Sequence, residues 1–232
     1  MNNDSRMIRD FKWPGAIENY TAKRQVALRV ASQVGDGDVI GVGSGSTSYL
    51  AIQAIGERLQ EDRLLCFAIP TSHEAALACA SAGIAVTSLW EHHPDWCFDG
   101  ADEVDTASNL IKGRGGAMFK EKLVMRAAPR TLILIDESKR VDRLGQKFPI
   151  PVEVHPSALT VVEKALSSLG AEEIVLRLAK MKDGPVITEN GNFILDARFR
   201  EVGDGLEQAL KSITGVLESG LFWGFRVEVL VA

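Results

Sequence analysis

Val39-Ile40-Gly41-Val42-Gly43-Ser44-Gly45-Ser46-Thr47 is the stretch on which the reading of the whole chain turns. Val39 to Val42 is a short apolar run without alternation, as expected of a strand buried on both faces of a sheet. Glycines and hydroxyl side chains follow, and a helical pattern begins at once with Leu50, Ile52, Ile55 and Leu59. Glycine lets the backbone approach an anion, and the start of a helix offers free N–H groups and the positive end of a dipole. With the hydroxyls of Ser46 and Thr47 the combination suits a phosphate, although a plain tight turn between strand and helix also accounts for the glycines. It is not a dinucleotide fingerprint. Ser46 stands where the third glycine belongs, and the next strand ends in Ile69-Pro70-Thr71 with no acidic residue for a ribose. A nicotinamide cofactor is therefore disfavoured.

The same beat of strand and helix extends on both sides. Upstream, Val26, Ala27, Val30, Ala31 and Val34 share one helical face, and Gly35-Asp36-Gly37-Asp38 stops that helix. Downstream, the pattern predicts strands over 64–69, 84–87, 96–98 and 131–135, with helices over 72–81 and 119–127. Strands and helices alternating through short links imply a parallel sheet covered on both faces.

After Phe148 the rhythm changes. Strands are expected over 151–154 and 173–178, helices over 158–169 and 206–213. The segments 186–188 and 193–197 flank Glu189-Asn190-Gly191-Asn192, a hairpin signal. The apolar ending 225–232 is expected to rejoin the first sheet. The fold class is thus α/β. A Rossmann-like parallel-sheet domain of residues 1–147 and 217–232 carries a small α+β domain of the ferredoxin-like kind at 148–216.

Composition narrows the function. A 46% hydrophobic and 25% charged chain of 232 residues is ordinary for a globular protein, and its net charge of −5 argues against a nucleic-acid partner. No apolar run approaches the roughly 20 residues that span a bilayer, so no membrane role is expected. Cys66, Cys79 and Cys97 lack CxxC spacing and sit among apolar residues, which reads as buried thiols in the reducing cytoplasm. His92 and His93 are adjacent and diverge, and no cluster completes a metal set. The first twenty residues lack the apolar core of a signal peptide and read as an unprocessed arm, with Phe11, Trp13 and Ile17 as the residues to dock it.

Three further stretches follow expected strand ends, where open α/β sheets place their ligands. Asp99-Gly100-Ala101-Asp102-Glu103-Val104-Asp105 is strongly acidic; a solvated turn or a calcium loop would also explain it, though the spacing fits the latter poorly. Lys112-Gly113-Arg114-Gly115-Gly116 leads into the helix that contains Glu121. A lysine beside a glycine loop can stabilise an oxyanion, and Glu121, taken alone, reads equally as a surface residue. Asp136-Glu137-Ser138-Lys139 offers Lys139 to a phosphate.

In order, these segments resemble the type A ribose-5-phosphate isomerases: the glycine-rich loop 41–47, DGADE at 99–103, the lysine loop 112–117, DESK at 136–139 and PVEV at 151–154, with Asn190-Gly191-Asn192 and Leu195-Asp196 similar to the family's small-domain hairpin. The likeness covers roughly residues 20–232. It implies an aldose–ketose isomerase acting on D-ribose 5-phosphate and D-ribulose 5-phosphate in the non-oxidative pentose phosphate pathway, with no cofactor, as a homodimer or larger homo-oligomer. It implies that Glu121 is the base between C1 and C2, that Lys112 stabilises the enediolate, and that Asp99 and Asp102 handle hydroxyl protons. Ser44, Gly45, Ser46, Thr47, Lys23, Gly113, Gly115 and Lys139 would then bind substrate or its phosphate. A sugar-phosphate sensor, or an isomerase of another sugar phosphate, is the alternative; a sensor has no need of all four catalytic residues. Two positions depart from the family: Ser44 where threonine is usual, and Arg114 where glycine is usual. Arginine fits that loop only at negative φ, pointing outward or toward a substrate anion.

Overall fold

The structure, a computed structural model, describes residues 10–232. The first nine residues of the expected N-terminal arm lie outside the described part. Of the rest of the arm, Phe11 and Ile17 pack on the apolar core, and Phe11 and Trp13 place their rings 6.4 and 5.7 Å from Tyr49. The described residues form two compact units: residues 10–100, 123–138 and 226–232, and residues 101–122 and 139–225.

The first unit is built on helix α1 (Tyr20–Ala31), strand β1 (Val39–Val42), helix α2 (Ser46–Asp62), β2 (Phe67–Pro70), α3 (His73–Ser81), β3 (Ala85–Val86) and β4 (Trp96–Gly100). Later in the chain β7 (Thr131–Ile135) and β13 (Glu228–Val231) join it. The six strands form one parallel sheet in the order β13-β7-β4-β1-β2-β3. All five residues of β7 are buried, as the unalternating run Thr131 to Ile135 required. Helix α1 buries Val26, Ala27, Val30 and Ala31 on the face expected from their spacing. The core gathers these with Ile40, Ile52, Ile55, Phe98, Leu132 and Leu134. The C-terminal strand rejoins this sheet beside β7, as expected.

The order of the strands matters for function. From β1 the chain winds outward through β2 and β3, then returns to place β4 on the other side of β1. The loops leaving β1 and β4 therefore diverge from adjacent strand ends, the topological switch point at which such sheets bind ligands.

The second unit begins with β5 (Glu103–Val104), β6 (Leu110–Ile111) and the start of α4 (Met118–Ala127), the division falling after Lys122. It continues with β8 (Ile150–Val154), α5 (Leu159–Ser168), β9 (Ala171–Leu176), β10 (Phe193–Phe199), α6 (Leu206–Lys211), β11 (Val216–Ser219) and β12 (Leu221–Phe222). The antiparallel sheet β11-β8-β10-β9 with α5 and α6 is the ferredoxin-like arrangement expected. A second, three-stranded sheet, β12-β6-β5, was not foreseen. It ties residues 101–122 into this unit, and 139–147 and 217–225 belong here too, whereas the sequence placed all three segments with the larger domain. The hairpin expected from 186–188 and 193–197 does not form a ladder. Both edges of β10 are already taken, by β8 and by β9, so 186–188 cannot pair with it; instead the Val186 N–H donates to Arg177 O, just beyond β9, at 2.8 Å. The turn itself does close, with the Thr188 N–H donating to Asn192 O at 2.9 Å.

Cys66, Cys79 and Cys97 are buried thiols, that of Cys97 lying 3.2 Å from the Thr131 hydroxyl. Burial, helped by the charge of Asp38, pushes the Cys66 thiol up to about 11, and burial likewise raises that of Cys79. At pH 8 Cys66 is then roughly one part in a thousand thiolate, the reactive form. An aromatic disulfide reagent at pH 8 should find almost no reacting thiol in the native protein and all three after denaturation; fast native reaction would contradict this packing.

Candidate active site

In the first unit the site residues cluster where β1 and β4 end. The Gly43 N–H donates to Phe98 O at 2.8 Å, drawing the two strand ends together. A Cβ on Gly43 would lie 2.2 Å from Cγ of Asp99, so only glycine fits there. Asp99 is buried, and its Oδ1 accepts the N–H groups of Ser44 at 3.2 Å and Gly100 at 2.7 Å. The Ser44 hydroxyl lies 2.6 and 2.8 Å from those of Ser72 and Thr71, at the start of α3, so serine keeps the role open to threonine here. Gly45, at φ +92°, precedes α2 and donates its N–H to Glu74 Oε2 at 3.1 Å.

Ser46 opens α2, with Thr47 next to it. Lys23, from α1, donates its ammonium to the Ser46 hydroxyl at 3.1 Å, although the residue is largely buried. A cation, a hydroxyl and a helix N-terminus thus converge as an anion site requires. The loop after β7 adds Asp136, which accepts from the Asn19 amide at 3.2 Å, the Ser138 N–H at 3.0 Å and the Ser138 hydroxyl. Burial opposes its ionisation, but these hydrogen bonds and the charge of Lys23 hold the carboxyl below the usual carboxylate range.

In the second unit Lys112 follows β6 and Glu121 lies in the first turn of α4. Their side chains meet as an ion pair at 3.3 Å, only 3% and 7% exposed. Glu121 is therefore not the surface residue that its sequence alone allowed. The Lys112 N–H donates to Gly220 O at 2.9 Å, and its ammonium stands 5.8 Å from the centre of the Phe222 ring. Lys122 also reaches this ring, at 4.7 Å, while bonding Glu207, Glu218 and Leu221 O at 2.7 to 2.9 Å.

The glycine loop after Lys112 is a turn closed by the Gly116 N–H on Gly113 O at 2.9 Å. Gly113 and Gly116 have φ of +96° and +78°; Arg114 has no positive φ, in line with the expectation for an arginine in this loop. Its guanidinium lies 5.6 Å from the Phe148 ring, and the Lys139 ammonium lies 5.4 Å from the same ring. Asp102 Oδ2 accepts the Arg114 N–H at 3.1 Å.

The structure thus joins Lys23 with Ser46 and Ser44 with Asp99 in one unit, and Lys112 with Glu121 and Asp102 with Arg114 in the other. Sequence reasoning passed over several supporting residues. Glu74 carried a faint signal, being an acidic residue soon after a strand, and Asp136 was quoted within its motif but given no role of its own. Glu103 was read with its neighbours as acidic loop, yet it is fully buried and accepts the N–H groups of Gly145, Lys147 and Phe148 at 2.5 to 2.7 Å. Gly220, Phe222 and Arg177 carried no local signal.

The family model of ribose 5-phosphate isomerase A (phosphoriboisomerase A) matches residues 67–232. Ribose-5-phosphate isomerase A of Methanothermobacter thermautotrophicus is 47% identical over 210 residues, 90% of this chain and 92% of that one. The Methanocaldococcus jannaschii enzyme of the same name is 47% identical, and its solved structure superposes with a TM-score of 0.88 over 92% of this chain and 95% of that one. A D-ribose-5-phosphate isomerase solved in complex with phospho-erythronic acid gives a TM-score of 0.89 at 40% identity, covering 93% and 95% of the two chains.

Replacing Gly43 by alanine should cost about 1–3 kcal/mol of stability, because the new methyl must displace Asp99 and the backbone of β4. Denaturant unfolding checks this; a variant as stable as the parent would show that the strand ends are less tightly apposed than described.

Proposed function

The chain belongs to the ribose 5-phosphate isomerase A family, and we propose that Glu121 and Lys112 carry out its interconversion of D-ribose 5-phosphate and D-ribulose 5-phosphate through an enediolate. The observation that carries this reading is the buried Lys112–Glu121 pair. Aldose–ketose isomerisation moves one proton between C2 and C1 and leaves a negative charge on oxygen in between. A carboxylate that takes the proton becomes neutral as the oxyanion forms. The ammonium beside it then has a new anion to stabilise, so the net charge of the pair and its substrate never changes. In a site shielded from water that exchange is worth far more than it would be in solution.

The other residues fill the roles the chemistry leaves open. Asp99 and Asp102 would relay hydroxyl protons during ring opening and isomerisation. Lys23, Ser44, Gly45, Ser46 and Thr47 would hold the phosphate, where hydroxyls, an ammonium and the start of α2 converge. Lys139 would be a phosphate-binding residue of the second unit, and Gly113 and Gly115 would bring loop backbone to the sugar. None of these steps calls for a metal or a redox cofactor.

We expect the protein to work in the cytoplasm on a free sugar phosphate, as a homodimer or larger homo-oligomer. Among the described residues no helix is long and apolar enough to cross a membrane. Sedimentation velocity should show at least twice the 25.2 kDa chain mass; a monomer at micromolar concentration would remove the oligomer from the proposal.

With ribose 5-phosphate as substrate and chelator present, Glu121→Gln should lower kcat by about 10²–10⁴-fold. Lys112→Met should lower it by about 10²–10³-fold. Ketose formation followed over time measures both. Wild-type turnover by the Glu121 variant would take the base from Glu121, and loss of activity with chelator would overturn the metal-free route.

A further inference from the structure

Arg177 stands just beyond β9 and has no part in the roles assigned above. Its Nε donates to Asp196 Oδ2 at 2.8 Å and its Nη2 donates to Asp196 Oδ1, a two-pronged pairing with a residue of β10. Both side chains are more than four-fifths shielded from solvent. Paired in this way the guanidinium plane is fixed, because two parallel bonds allow no rotation. The remaining arm, Nη1, is aimed at the lysine loop. It donates to Gly113 O at 2.9 Å and to Arg114 O at 3.0 Å.

Two successive carbonyls on one nitrogen have a consequence for the loop. No peptide bond in the described chain is cis, and in a trans peptide the C=O and the N–H point in opposite directions. With both carbonyls turned to Arg177, the N–H groups of Arg114 and Gly115 point away from it. That of Arg114 does so visibly, donating to Asp102 Oδ2. Gly113 to Gly116 is therefore a type I-like turn, closed by the Gly116 N–H and lacking positive φ at Arg114 and Gly115.

Such a turn has a close alternative. Rotating the central peptide, between Arg114 and Gly115, converts type I to type II and requires positive φ only at Gly115, which glycine supplies without strain. The rotated peptide would put the Arg114 carbonyl where the Gly115 N–H now points. Beside a developing oxyanion that exchange replaces a donor dipole by an opposing one.

We propose that Arg177, oriented by Asp196, is a positioning residue for the isomerisation: it holds the 114–115 peptide with its N–H rather than its C=O turned to the Asp102 side of the lysine loop. The proposal rests on the reading of Lys112 and its loop as the enediolate-stabilising group. It assigns Arg177 no contact with substrate. The guanidinium acts through the backbone, by engaging two carbonyls that would otherwise repel one another.

The test uses steady-state kinetics and two binding probes. Phospho-erythronic acid carries a carboxylate near the place where the enediolate oxygens gain charge, while inorganic phosphate reports on the phosphate contacts alone. Arg177→Ala should lower kcat by about 10–100-fold, the range of a weakened oxyanion donor, with KM within about threefold of wild type. Affinity for phospho-erythronic acid should fall with kcat/KM and affinity for phosphate should hold. Adding Gly115→Ala to Arg177→Ala should restore activity several-fold, since a side chain at 115 disfavours the rotated turn and a Cβ there meets nothing within 4 Å. A residue that merely tethers the loop would not be rescued in that way. Unchanged kcat in Arg177→Ala, equal loss of both probes, or a double variant no better than the single one would each overturn the proposal. Should Arg177→Ala not fold, Arg177→Lys is compared instead, because one ammonium cannot serve both carboxylate oxygens and both carbonyls; wild-type kcat there overturns it too. Glu121→Gln run alongside separates the two readings: an active Glu121 variant removes the premise, whereas an inactive one beside a fully active Arg177 variant removes only the positioning role.

Discussion

The ammonium of Lys112 and the carboxylate of Glu121 sit 3.3 Å apart with almost no solvent on either. Ions withdrawn from water cost several kcal/mol each, and attraction between them offsets this only where geometry is good and further partners are supplied. Much of the second unit can be understood as the means of supplying them. Gly220 must lack a side chain, because a Cβ there would lie 2.1 Å from Lys112 O. That close approach lets β12 run alongside β6, and β12 carries Phe222 to a position facing the Lys112 ammonium. A second cation at Phe222 is Lys122, itself held by two carboxylates and a carbonyl. One aromatic ring thus stands near two buried cations, a contact worth more when desolvated than at a surface.

The first unit solves a related problem with a different device. Its glycine-rich loop has the donors of an anion site, yet two of those N–H groups already serve carboxylates: Ser44 bonds Asp99, and Gly45 bonds Glu74. These bonds stiffen the loop before any ligand arrives, so less ordering remains to be done on binding. They also bring negative charge close to a proposed phosphate site, and Lys23 supplies the counterweight through Ser46. The proposed phosphate contacts at Ser46 and Thr47 lie one step further along, where the dipole of α2 begins.

The sequence was most informative where physical constraints are local. Unalternating apolar runs marked β1 and β7 at their observed bounds, and glycines followed by a hydroxyl pair marked the start of α2. Recurrence of acidic and basic motifs at strand ends brought the four catalytic candidates to attention. What escaped is long-range. The strands β5, β6 and β12 are only two residues each, too short for any periodicity to register, and β12 reaches β6 because Gly220 allows a close approach more than a hundred residues from Lys112. Glu103 looked like the rest of an acidic loop because nothing nearby in sequence reveals the three N–H groups that enclose it. The failed hairpin at 186–188 has the same origin: its turn chemistry is sound, but β9 had claimed the edge of β10 on which it depended.

Arg114 shows how much of this loop's glycine content is structural. The positions that demand positive φ are 113 and 116, and both remain glycine. Position 114 is the first central residue of the turn, where negative φ is native and any L-residue fits. Glycine there is therefore a matter of space and charge rather than of backbone strain, so an arginine can enter without disturbing the turn. Its side chain has a place to go: the Phe148 ring takes the guanidinium on the ring that Lys139 also approaches. Phe148 is in turn located by its own N–H on Glu103. The departure from the family pattern thus adds a cation to the surroundings of Lys139 and leaves the backbone of the lysine loop governed by Gly113, Gly116, Asp102 and Arg177.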